Sequence, residues 1–127
     1  GMGKGHKQRR LSAMLEAIKE KLRTAGLTVY DFAEKIGTCK APYVVVYDSG
    51  VESTPGTKGM YGRHTYEVVC LTPYTDVDGL ATLERRVRQA LHALPGLHLS
   101  SSGGTGVEQT YQARAMSLAY VSTERLY

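Results

Sequence analysis

The sequence predicts an α+β fold in which two helices pack on a mainly antiparallel sheet of about four to five strands, in two layers. Three observations predict it: two segments with apolar residues at helical spacing, several segments of alternating or continuous apolar, β-branched and aromatic residues, and the order helix, strands, helix, strands. With 127 residues, 42% of them hydrophobic and 22% charged, the chain suits one domain and neither a disordered nor a fibrous class.

The first helix is expected from residue 11 to Ala25. Leu11, Met14, Leu15, Ile18 and Leu22 fall on one face, Lys19, Glu20, Lys21 and Arg23 mostly lie on the others, and Gly26 stands where a helix ends. Leu27-Thr-Val-Tyr30 reads as a short strand, and Asp31 to Lys40 is mixed in pattern. Tyr43-Val-Val-Val-Tyr47 is apolar on both faces, which predicts a central strand covered on both sides. From Asp48 to Gly62 the chain is rich in Gly, Ser and Thr and predicts a long hairpin connection. The strand from His64 to Leu71 follows, with His64, Tyr66, Val68 and Cys70 on one face, and Thr72-Pro73 stops it.

The second helix is capped by Thr75 or Asp76, carries Val77, Leu80, Leu83, Val87, Leu91 and Leu94 as one apolar stripe, and ends at Pro95-Gly96. Strands are expected at Leu97 to Leu99, Val107 to Tyr111 and Arg114 to Ser122, the last with Met116, Leu118 and Tyr120 facing one way and Ala115, Ser117, Ala119 and Val121 the other.

The formal charge of +4 is local. Lys4, Lys7, Arg9 and Arg10 lie in the first ten residues without an acid, and the rest of the chain balances twelve basic against twelve acidic residues. Residues 1–10, with Gly1 as an expression scar, are expected to form a flexible basic arm ahead of a single domain at 11–127. Such an arm is either a solvated tail or a weak, salt-sensitive phosphate contact. No apolar run approaches the roughly 18 residues of a membrane span, and no secretory signal is evident, so a soluble intracellular protein without membrane contact is expected.

The sequence offers no catalytic, cofactor-binding or metal-binding constellation. Gly56-Thr57-Lys58-Gly59 lacks the glycine-lysine-serine/threonine order of a phosphate loop, and the glycines at 1, 3 and 5 follow no strand. The histidines lack zinc-site spacing, and His64 reads as a half-buried structural residue. Cys39 and Cys70 read as free thiols, Cys70 as a buried small hydrophobe. Asp76 and Asp78 are explained by helix capping and the helix dipole. Nine tyrosines against one phenylalanine fit either an interface or a half-wet sheet. Arg85, Arg86 and Arg88 form either a solvated helix face or a contact to acidic residues of a neighbour or to phosphates.

The order helix, Leu27-Thr-Val-Tyr30, Ala-Pro-Tyr-Val-Val-Val-Tyr-Asp48, glycine-rich loop, strand at Thr65 to Leu71 and helix opened by an aspartate resembles phage tail terminator and tail-completion proteins, minor tail components of long-tailed phages and prophages. The resemblance spans roughly residues 11–122. It implies a non-enzymatic assembly role in which subunits form a ring, commonly a hexamer, that caps the tail tube and docks the head-tail connector proteins. DNA would pass through the lumen, contacted non-specifically at most, and the protein would occupy the host cytoplasm during assembly and then the virion tail. On this view Arg85, Arg86, Arg88, Lys58 and Arg63 are candidates for a subunit interface or the lumen, and Lys4, Lys7, Arg9 and Arg10 for phosphate contact. The alternative is a small nucleic-acid-binding module using the arm and the helix arginines, with tyrosines stacked on bases. Its mark would be salt-dependent DNA binding by residues 11–127. A small-molecule enzyme whose residues converge only in three dimensions is the third reading, and a deep pocket with converging polar side chains is its mark.

Overall fold

The computed structural model describes residues 2–32, 34, 37–53 and 61–125, with side chains described for 13–32, 34, 37–50 and 63–122. Along the chain they form α1 (Met2–Thr24), β1 (Val29–Asp31), β2 (Tyr43–Ser53), β3 (Tyr61–Pro73), α2 (Val77–His92), β4 (Leu97–Ser102), β5 (Gly106–Glu108) and β6 (Ala113–Arg125). The strands make one sheet in the order β1-β2-β3-β6-β4, with β5 also paired to β6. The fold is therefore two-layer α+β as expected, but the described sheet has six strands rather than four to five. It is mixed, because β1 runs parallel to β2 while every other pairing is antiparallel.

Both helices lie on one face of the sheet. Ile18 and Leu22 of α1 and Leu80, Leu83, Val87 and Leu91 of α2 pack in one core with Val44, Val46, Tyr66, Val68, Cys70, Leu118 and Tyr120. The alternation in β3 and β6 selects these residues, because every second side chain shares a face. Val77 departs from the expected stripe and stays 61% exposed at the first position of α2.

Local chemistry fixes the helix ends. Gly26, with φ at +88°, follows α1, and Gly26 N–H donates to the Arg23 carbonyl (2.9 Å) while Leu27 N–H reaches the Leu22 carbonyl (3.1 Å). This is a Schellman closure, and its hydrophobic partners Leu22 and Leu27 are both buried. At α2 the capping residue is Asp76, whose carboxylate accepts from Gly79 N–H at 3.0 Å.

Two boundaries differ from the sequence reading. The segment expected as an arm is the first part of α1, which begins at Met2 rather than at residue 11. Lys, Gln and Arg are good helix formers, and extending an anchored helix needs no second nucleation. The expected Asp48–Gly62 connection contracts as well, since β2 runs to Ser53 and β3 starts at Tyr61. A bulge between Asp48 and Gly50 lets the paired strands continue through a segment whose composition suits a loop.

Candidate functional site

The candidate surfaces arise from an asymmetry of the sheet. β2 is an interior strand, as its composition predicts, but only one of its faces is covered by helices. Val44 and Val46 are sealed against α1 and α2, whereas Val45 and Tyr47 point to the open face and are half-buried. Among the described residues the expected cover on both sides is only partial: both helices lie on the same side, and on the other the segments around Cys39 and Tyr111 bury Tyr43 and leave Val45 and Tyr47 half-buried.

That open face carries a second apolar cluster of Cys39, Tyr43, Leu71 and Ala113, with Tyr30, Val45, Val69, Tyr111 and Ala115 packed around it. Tyr30 and Tyr43 meet edge to face with centroids 5.3 Å apart, and Phe32 tilts against Tyr47 at 5.1 Å. Burial pushes the Tyr43 hydroxyl up to about 12, with Cys39, Tyr111 and Tyr30 adding to the shift. The Tyr47 hydroxyl is also raised, by burial first and then by the nearby Glu67 carboxylate. Glu67 in turn accepts a hydrogen bond from Ser117 Oγ at 2.5 Å. A shallow depression of about 220 Å³ runs among Phe32, Tyr43, Tyr47, Val69, Leu71 and Tyr111.

A second, larger concavity of about 600 Å³ lies at the opposite edge of the sheet. Its walls are Arg88, Leu91 and Leu94 at the end of α2, Leu97 and Leu99 of β4, and Tyr120 of β6. Arg88 Nη2 meets Glu84 at 2.7 Å, but its Nε is buried without a hydrogen-bond acceptor. Burial pushes the Tyr120 hydroxyl up to about 12, and the Arg88 charge opposes that shift.

The sequence-selected residues separate in space. Arg86, though exposed, reaches across to α1 and donates from Nη2 to the Ala25 carbonyl at 2.8 Å, so it closes the end of α1 and complements its dipole. Arg88 borders the edge cleft, and Arg85 stays exposed on the outside of α2. Arg63 is exposed on β3, level with Thr123 of β6. Lys58 lies outside the described residues. Lys4, Lys7, Arg9 and Arg10 fall within α1, and their side chains are likewise outside the description.

His64 is structural, and more deeply placed than its pattern suggests. It is 3% exposed, stacks on Tyr66 with centroids 4.6 Å apart, and holds Asp48 through Nε2 at 2.6 Å. The same Asp48 oxygen accepts from Gly50 N–H at 2.8 Å, so this pair pins the bulge. Cys39 and Cys70 are buried thiols outside any disulfide, Cys39 Sγ donates to the Ala41 carbonyl at 3.3 Å, and burial pushes the Cys70 thiol up to about 12, with Glu84 contributing.

Sequence reasoning missed Lys19 and Phe32. Lys19 is buried to 5% exposure and binds Asp31 at 2.6 Å and Glu16 at 2.9 Å, tying α1 to the end of β1. Phe32 is 69% exposed; its only advance signal was a lone phenylalanine between acids in a segment without a clear period.

Among the described residues no group of three or more His, Cys, Asp or Glu gathers as a metal site, and no helix is long and apolar enough to cross a membrane. Neither a family model nor a curated protein matches this chain.

Proposed function

We propose that this chain is a structural subunit of a phage or prophage tail, a tail terminator or head-tail joining protein that assembles with copies of itself into a ring, caps the tail tube and docks the connector. The observation that carries this reading is the open face of the sheet. Among the described residues the Tyr43–Tyr47 run of β2, apolar at every position, is covered by helices on one side only, and the other side presents a half-buried aromatic and aliphatic surface of Tyr30, Val45, Tyr47 and Val69. Association with another copy removes that surface from water, which is the main favourable term in forming subunit contacts. Tyrosine suits the task, since its ring gives contact area at low entropic cost and its hydroxyl tolerates the wet state before assembly.

The order of elements, from the first helix through the β2–β3 hairpin to α2, supports the same reading. In it the protein needs no catalytic group, and DNA in the lumen meets only non-specific charge. Lys4, Lys7, Arg9 and Arg10, concentrated on the first part of α1, are the residues proposed for such contact.

Absolute mass by light scattering, across protein-concentration and salt series, with negative-stain imaging of any large species, tests the proposal. Discrete rings of one subunit number support it. A chain that remains monomeric at every concentration contradicts it.

A further inference from the structure

We infer that the subunits join head to tail, with Phe32 of one copy seated in the leucine-walled cleft between α2 and β4 of the next. The inference rests on the ring reading and adds to the open face a knob at its border, since Phe32 lines the open-face depression, and a socket at the far edge of the sheet.

Phe32 is the most exposed large apolar side chain among the described residues. It follows directly on β1, one edge of the sheet, and packs against Tyr47 at the border of the open-face depression. Asp31 and Glu34 flank it, and Glu34 Oε1 accepts from Asp31 N–H at 2.7 Å, which fixes the acidic turn around the ring. The corner is therefore an apolar knob with the exposed Glu34 carboxylate at its base, the Asp31 carboxylate being held by Lys19.

The cleft at the other edge is its chemical complement. It offers about 600 Å³ walled by Leu91, Leu94, Leu97 and Leu99, ample for one aromatic ring. Arg88 at its border pairs with Glu84 through Nη2 and keeps part of its guanidinium in solvent, exposed His92 also lines the cleft, and exposed Arg85 stands on the same helix. The exposed Glu34 carboxylate, arriving beside the phenylalanine ring, meets the positive face of Arg85 and of the Arg88 guanidinium, whose side chain stays 41% exposed, and charge-assisted contacts to a guanidinium are among the stronger hydrogen bonds. Leu99 is 38% exposed at this wall and gains cover from the incoming ring.

The placement matters as much as the chemistry. Because β1 and β4 are opposite edges, a knob on one and a socket on the other cannot satisfy each other within a two-fold dimer using one contact. They propagate from copy to copy, and such heterologous contacts close into a ring when the rotation between copies divides a full turn.

The test uses Phe32→Asp and Leu99→Asp in the full chain. Both side chains are open to solvent in the subunit, so each variant is expected to keep the wild-type circular dichroism spectrum and melting profile. Alone, each loses every species above the monomer by light scattering; mixed one to one, they form a heterodimer and nothing larger, since one intact knob meets one intact socket. As a second measurement that does not depend on disrupting a surface, Phe32→Cys combined with Leu99→Cys gives, on mild oxidation, a ladder of covalent multimers on a denaturing gel, Cys39 and Cys70 being buried. Wild-type rings that persist in both aspartate variants, or that yield no cross-linked dimer from the cysteine pair, overturn this pairing and leave the ring reading standing. A wild-type chain that never exceeds a monomer removes the ring reading itself.

Discussion

The two faces of the sheet are made by the same strands and differ by one residue of register. On the helical side Val44, Val46, Tyr66, Val68, Cys70 and Leu118 are at most 1% exposed, and on the other side Val45, Tyr47, Val69 and Ala115 are half-buried. Fully burying a valine stabilises a fold by about 1.5–3 kcal/mol. The inner valines contribute that on folding, whereas the half-buried outer ones contribute part of it and leave the remainder exposed. In this protein one face specifies the subunit, and the other is proposed to specify the assembly.

The sharpest way to break the comparison is to cut into the inner face. Leu118→Ala removes a fully buried side chain from β6 and is expected to cost about 2–5 kcal/mol, measured by urea or thermal denaturation. Asp48→Ala comes next. It leaves the buried His64 ring without this carboxylate and frees Gly50 N–H at the bulge, with an expected loss of about 1–3 kcal/mol in the same assay.

Alkaline pH provides a third test of the inner face. Cys70 ionises near 9 when unfolded and near 12 when folded, so the unfolded chain releases its proton first and stability falls as pH rises between those values. One such group gives a slope of about 1.4 kcal/mol per pH unit, and Cys70→Ala is expected to flatten the alkaline limb of a denaturation series by about that amount. Tyr43 and Tyr120, ordinarily at 10.0 and raised to about 12, steepen the same limb from pH 10 upward in both proteins. Smaller still, Asp76→Ala removes the α2 cap and should cost about 1 kcal/mol. Least of all for stability, Val45→Thr on the open face should move the melting free energy by less than about 1 kcal/mol while weakening self-association in sedimentation. Equal and large losses from Leu118→Ala and Val45→Thr would erase the distinction between the faces.

The inner face was legible because its information is local. Met116, Leu118 and Tyr120 alternate with small residues, Leu80, Leu83, Val87 and Leu91 recur at helical spacing, and Gly26 and Asp76 sit where helix ends require them. What remained illegible depends on tertiary pairing. The continuation of β2 to Ser53 uses residues of loop composition, made regular by a bulge that Asp48 and His64 brace from different strands. Lys19 lies beside the apolar stripe of α1, and its burial follows only once Asp31 arrives from β1 to hold its ammonium. The edge cleft joins Arg88, Leu99 and Tyr120 from three elements, so no spacing along the chain announces it. The composition of β2 was read correctly as apolar on both faces, but composition does not say whether the second cover comes from the same chain.

Tyrosine labelling read by mass spectrometry, at concentrations below and above the onset of assembly, addresses that second cover most directly. The account predicts that Tyr30 and Tyr47 on the open face lose reactivity as the protein assembles, while exposed Tyr74, between β3 and α2, keeps its own. Assembled protein in which Tyr30 and Tyr47 remain as reactive as in the monomer would contradict it.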